Sequence, residues 1–226
     1  MTKAMIHTYQ EIKREIDRWG ILPLSSYIAE HPSLESLTPK ENWHTDQPSD
    51  PWLWRVQLAD EKAVAYGKFF KKKPTFLSLE LYPYIRSLQG DMRPITERFE
   101  AGIISRHAYH IHQIVEERGI VDARELRGLA GLREKEQKTL FENALVELQS
   151  SFDLVITGSI SRFNEQGEKN GWNSMGFSLA TQWFADQPEL LVWYKPEEAR
   201  AYLTTFFQQR CTVKAFAQIA KLLRLS

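Results

Sequence analysis

SRHAYHIHQIVEERGIVDARELRGLAGL (residues 105–132) decides how the rest of the chain is read. Ser105 can accept the first unpaired amides of a helix. Ala108, Ile111, Ile114 and Val115 then recur as one apolar stripe until Gly119 ends it. Ile120 and Val121 form a brief extended pair. Asp122 follows as the cap of a second helix, with Glu125 in the spacing of a capping box, and Gly131 breaks that helix.

A third helix is expected from near Arg133. Across REKEQKTLFENALVELQSSF (133–152) Leu140, Phe141, Ala144, Leu145 and Leu148 share one face, while Lys135, Lys138, Glu142 and Gln149 take the other. LVITGSISRF then reads as a strand, NEQGEKNG as a polar turn and WNSMGFSLATQWF as a returning strand. Helix, short strand, helix, helix and a two-stranded ribbon, over 105–184, is the order of a winged helix-turn-helix. The expected fold class is α+β.

On the C-terminal side, Pro196 opens a helix in PEEARAYLTTFFQQR and Thr212 caps VKAFAQIAKLLRL, a pair that resembles the start of a second helix-turn-helix. On the N-terminal side, Ile6, Tyr9, Ile12, Ile16 and Trp19 mark an amphipathic helix ended by Gly20 and Pro23. Prolines at 23, 32, 39, 48 and 51 then argue for loops or extended chain, with one short helical turn at SLESL. AVAYGKFFKKKPTFLS (63–78) reads as a hairpin with a lysine tip, after which Ser78 is placed to cap a helix through LELYPYIRSLQ. Three parts result: a mixed α/β region rich in Trp and Pro (1–100), the winged helix (101–187), and the helical pair (188–226).

Lys and Arg equal Asp and Glu at 29 each, a balance that counts against strong salt-driven nucleic-acid binding by the chain as a whole. The charge is uneven, however. Residues 1–60 carry six basic and nine acidic side chains, whereas 195–226 carry six basic and two acidic. The single cysteine, Cys211, excludes an internal disulfide and a Cys-based zinc site. No run is long and apolar enough for a membrane span and no signal peptide is read, so a cytoplasmic protein is expected.

Four groups of residues are candidates for function. At the third helix, Arg133, Lys135, Gln137 and Lys138 offer donors of the kind that reach base edges and phosphates, and the ribbon tip adds Arg162, Lys169 and Asn170. Glu134, Glu136, Glu142 and Glu147 interleave with the helix donors, leaving a protein-binding or dimerisation module as a competing reading. In ENWHTDQPSDPWLWR (41–55), Trp43, Trp52 and Trp54 could stack an extruded base with Asp46 or Asp50 as the general base and His44 nearby. The plainer reading makes Trp52 and Trp54 alternate along a strand, with Asp46 and Asp50 binding turn amides. His107 and His110 share a helical face, with His112 offset, but lack an evident third ligand, so no metal is expected. No phosphate-binding glycine loop, nucleophile elbow or zinc-protease motif occurs, and no cofactor is expected.

DPWLWR (50–55), AYGKFF (65–70), FLSLELYPYI (76–85), ALVELQ (144–149) and NGW (170–172) resemble the AlkZ-related bacterial proteins, winged-helix relatives of the AlkZ-type DNA glycosylases, over roughly 20–195. The resemblance implies a winged-helix fold and a link to DNA repair or regulation. The glycosylases carry tandem winged helices, a β-barrel and a Gln-x-Gln or Gln-x-Asp strand motif. Neither Gln208-Gln209-Arg210 nor Asp46-Gln47 matches that motif. Nucleic-acid binding is therefore the first expectation, with DNA as partner and homo-oligomerisation open. A glycosylase-like enzyme acting on modified bases is the alternative.

Overall fold

The computed structural model describes residues 5–160 and 174–225. The chain is mixed α+β, with two small antiparallel sheets set among helices. In chain order the elements are α1 (Tyr9–Trp19), β1 (Ile21–Pro23), α2 (Leu34–Leu37), α3 (Pro51–Asp60), β2 (Ala65–Phe70), β3 (Lys73–Leu77), α4 (Tyr82–Gln89), α5 (Ile95–Glu100) and α6 (Arg106–Arg118). They continue as β4 (Val121–Asp122), α7 (Ala123–Leu129), α8 (Lys138–Ser150), β5 (Leu154–Ile160), β6 (Ser174–Leu179), α9 (Ala180–Trp183), α10 (Pro196–Gln208) and α11 (Val213–Leu223).

The stretch from 105 onward folds largely as its caps dictate. Ser105 Oγ accepts from Ala108 N, Gly119 closes α6 with its amide on Val115 O, and the Asp122 carboxylate accepts from Arg124 N and Glu125 N to start α7. Val121 and Asp122 pair with Phe177 and Gly176, so the sheet runs β4-β6-β5. Gly158, at φ 105°, lies in a bulge of β5 against the backbone of Asp60, where a Cβ would come within 3.0 Å of the Asp60 Cβ. The end of α3 is thereby seated on β5.

Several expectations need correction. α8 begins at Lys138, because residues 135–137 form a tighter 3-10 turn capped by Glu134 and Gln137. Leu140 is exposed, and Gln149, placed on the polar face by its spacing, is fully buried. Residues 51–60, expected as extended chain, form α3: Pro51 occupies the first turn, where its missing amide costs nothing, and Asp50 caps Trp52 N. The helix after Ser78 starts only at Tyr82, and residues 180–183 close a helical turn where a strand was expected. The 63–78 hairpin, the SLESL turn and both C-terminal helices form as read. The ribbon tip, with Arg162, Lys169 and Asn170, lies outside the described residues.

Two cores bury the apolar faces, and each draws on both halves of the chain. One packs Ile12, Ile16, Trp54, Tyr66 and Phe76 against Ile111, Leu126, Phe141 and Leu148. The other packs Phe69, Leu77, Tyr82 and Phe152 with Phe184, Phe207 and Ile219. The N-terminal sheet, ordered β1-β3-β2, is covered on both faces as a result. Just after α8, Asp153 accepts two hydrogen bonds, at 2.9 and 2.7 Å, from the nearly inaccessible Arg98 of α5.

His112 is buried near this ion pair, and its Nδ1 has no hydrogen-bond partner. Burial, opposed by the Asp153 and Glu116 carboxylates, holds the imidazole below its usual value. The unfolded chain therefore takes up this proton first. The stability associated with the neutral ring is whole above about pH 6.5 and is lost as pH falls below it. Thermal unfolding at pH 7.5 and 5.5 should show a larger drop in Tm for the native chain than for His112→Gln. Equal drops would remove His112 as the cause.

Candidate nucleic-acid interface

The segment joining α7 to α8 is shaped by one arginine. Arg127 Nε donates to Leu132 O and its Nη2 to Glu134 O, both at 2.6 Å, which pins the turn that precedes α8. Because these acceptors are neutral carbonyls, the guanidinium keeps its full charge at the surface. Arg133, Lys135 and Lys138 are exposed, while Gln137 is half-buried and accepts from Glu134 N at 3.3 Å. Of the donors expected on this helix, all four sit at or just before its N-terminal end, and Gln137 is engaged as a cap.

The acidic residues that interleave in sequence take different partners in space. Glu147 turns to the start of α6, accepting from Ser105 N and Ser105 Oγ at 2.7 Å each. Glu134 caps its own 3-10 turn. Glu142 lies 3.7 Å from Lys138 with both side chains more than half exposed, a contact that water and salt largely screen. Of the four acidic residues, Glu147 is thus drawn away from the N-terminal end of α8, where Glu134 and the exposed Glu136 remain beside Arg133, Lys135 and Lys138.

Folding also adds cations that the linear reading did not associate with this site. Arg124, Arg127 and Arg133 line a hollow of about 650 Å³ together with Glu125. Arg124 and Arg127 continue into a second cleft of about 370 Å³, joined there by Arg55 from α3, Lys68 from β2 and Lys138, with Glu142 the one acidic residue among the described lining. Among the described residues, six cations and two carboxylates line the two adjoining hollows. The i, i+3 spacing of Arg124 and Arg127 is visible in ARELR, but Arg55 and Lys68 arrive only through the packing of the N-terminal half.

The tryptophan stretch takes a different form. Asp50 is fully buried, and its two oxygens accept from the backbone amides of His44, Thr45, Asp46 and Trp52 at 2.8–3.1 Å. Asp46 contributes its amide to this ring while its own side chain is exposed, at φ 55°. Trp54 is buried and donates to Pro48 O at 2.7 Å; Trp43 donates to Thr38 Oγ1 at 2.9 Å. Trp52 lies near the surface with Arg55 over its ring at 3.6 Å and His44 at 4.8 Å. Trp43 and His44 line a shallow hollow of about 450 Å³ with Leu24, Ser25, Glu35 and Lys40; Trp52 contacts the Trp43 ring at 6.4 Å, but neither it nor Trp54 lines the hollow. The three indoles thus do not converge on one pocket.

His107 and His110 are half-buried and exposed on α6, and His112 points into the core. Among the described residues no three His, Cys, Asp or Glu side chains are grouped as a metal ion would require. Cys211 sits 3.8 Å from His31 Nδ1, and burial raises its thiol to about 11. No helix among the described residues is long and apolar enough to cross a membrane.

A family model described as AlkZ related matches residues 6–224, extending the span suggested by the motifs at both ends. Neither the curated proteins nor the solved structures contain a match.

The four-amide ring around Asp50 makes a sharp distinction between the two aspartates. Asp50→Ala should cost about 3 kcal/mol through the lost cap and stranded buried donors. Asp46→Asn should stay within about 0.5 kcal/mol, as for an ordinary surface change. Urea unfolding of both variants checks this, and similar losses would show that Asp50 does not organise the loop.

Proposed function

Because the chain belongs to the AlkZ-related family over residues 6–224, we propose that it is a winged-helix protein that binds nucleic acid in a DNA-repair-related role. The connectivity α6-β4-α7-α8-β5-β6, with a β4-β6-β5 sheet, supports the winged-helix reading. In it α8 is the recognition helix and the β5–β6 ribbon is the wing, whose tip would contribute Arg162, Lys169 and Asn170.

The observation that carries the reading is the local excess of positive charge in a neutral chain. Among the described residues, six cations and two carboxylates line the two hollows at α7 and the start of α8, with Glu134, Lys135 and Glu136 exposed beside them. An α-helix presents its N-terminal residues to base edges when it enters the major groove, and arginines beside it hold phosphates. Arg124, Arg127 and Arg133 are assigned to the backbone, Lys135 and Lys138 to the groove edge. Overall neutrality limits non-specific attraction and leaves affinity to this patch. The Trp43–Trp54 loop gives base excision no comparable support, since the Asp50 lone pairs are taken up by four amides.

Fluorescence anisotropy with labelled duplex, single-stranded and alkylated DNA at about 50 and 200 mM salt tests the assignment. Arg133→Gln and Lys138→Gln should each weaken duplex binding and lower the salt slope by about 1, whereas Lys221→Gln on α11 should leave both unchanged. Absence of binding to every DNA at the lower salt would refute the proposal, as would variants indistinguishable from the native chain.

A further inference from the structure

The cleft beneath Arg124 and Arg127 has a character that phosphate contact alone does not require. Its walls are apolar, formed by Tyr66, Phe141, Leu145, Ile156, Met175 and Phe177; five of these side chains belong to the main core and Met175 packs against it. A surface that only grips a DNA backbone needs no such lining. At about 370 Å³ the cleft falls in the range of about 300–1,000 Å³ used by small-molecule sites.

Its charged rim comes from opposite sides. Arg55 and Lys68 stand on the N-terminal half, while Arg124, Arg127 and Lys138 stand on α7 and α8. Glu142 is already close to Lys138. Arg55 adds a second, independent observation. Its guanidinium carbon lies 3.6 Å from the centre of the Trp52 ring, and its Nε is buried without a hydrogen-bond partner. Buried donors are normally satisfied, so an unpartnered one at the edge of a cleft marks a place for an acceptor from outside the chain.

We propose that this cleft is a nucleotide site: it takes one planar base against Phe141, Met175 and Phe177 and places the attached phosphate among Arg55, Lys68 and Arg124. An apolar slot supplies stacking and dispersion for any base, and the ring of cations supplies the charge-assisted hydrogen bonds that hold a phosphate. The site deepens the nucleic-acid reading and shares its cationic rim, because Arg124 and Arg127 belong to both hollows. Two sources carry this chemistry, a free nucleoside monophosphate and an unpaired nucleotide within DNA.

Calorimetric titration with the four deoxynucleoside 5′-monophosphates, with the matching nucleosides and with inorganic phosphate tests the site. Monophosphates should bind at least about tenfold more tightly than either half alone, since base and phosphate each add contacts. Lys68→Glu and Arg124→Glu should each cost about tenfold. Met175→Trp should abolish binding by filling the cleft, and its thermal unfolding confirms that it folds. Nucleotide binding no tighter than inorganic phosphate, or unchanged in folded Met175→Trp, would overturn the proposal.

A duplex with one central unpaired nucleotide, compared with its perfect counterpart, separates the sources. A preference for the unpaired site that Met175→Trp removes assigns the ligand to DNA. Monophosphate binding without that preference assigns it to free nucleotide. Perfect-duplex binding with no monophosphate or unpaired-site binding sinks the cleft alone, and monophosphate binding without duplex binding sinks the duplex reading alone.

Discussion

The edge of the N-terminal sheet is tied to helix α8 by one buried side-chain amide. Gln149 Oε1 accepts from Lys68 N and its Nε2 donates to Leu145 O, both at 2.8 Å. β2 is an edge strand in the order β1-β3-β2, and an edge amide facing protein must find an acceptor there. Gln149 supplies it without adding charge to the interior. Phe69 stacked on Phe152 at 4.8 Å, and Arg98 paired with Asp153, hold the same junction from the other core and from α5. With this junction set, Lys68 and Arg55 stand opposite Arg124 and Lys138, and the cleft exists. Without it the cations would belong to separate surfaces.

Charge works in this protein through placement. Glu147 and Glu134, which offset the cations of α8 along the sequence, are drawn into caps for α6 and for the 3-10 turn. Arg127 is anchored on carbonyl oxygens and remains a full positive charge. A chain with equal numbers of acids and bases can in this way present a basic hollow that is confined to a few side chains. Such confinement favours a positioned ligand over diffuse attraction to any polyanion.

What could be read from the sequence follows how local each determinant is. α6, β4 and α7 were legible because Ser105, Gly119 and Asp122 act on amides within four residues. α3 was not, since Pro51 reads as a breaker unless Asp50 is recognised as its cap. The start of α8 was misplaced because Arg127 stabilises a preceding 3-10 turn from outside the helix. Leu140 and Gln149 exchanged their expected burial for a longer-range reason: α8 meets β2 on a side that helical spacing assigned to solvent. The candidate site divides in the same way. Arg133, Lys135, Gln137 and Lys138 could be found from the third helix, whereas Arg55 and Lys68 belong to the site only through tertiary packing. The indoles of the 41–55 stretch illustrate the converse, since closeness in sequence did not bring them to one pocket.

Hydrogen–deuterium exchange of the full chain with and without saturating duplex DNA measures the central claim most directly. The account predicts protection at residues 123–142 and at the β2–β3 hairpin around Lys68, on both rims of the cleft, together with the segment joining β5 to β6. Protection confined to α10 and α11, with no change at α7 or α8, would contradict it.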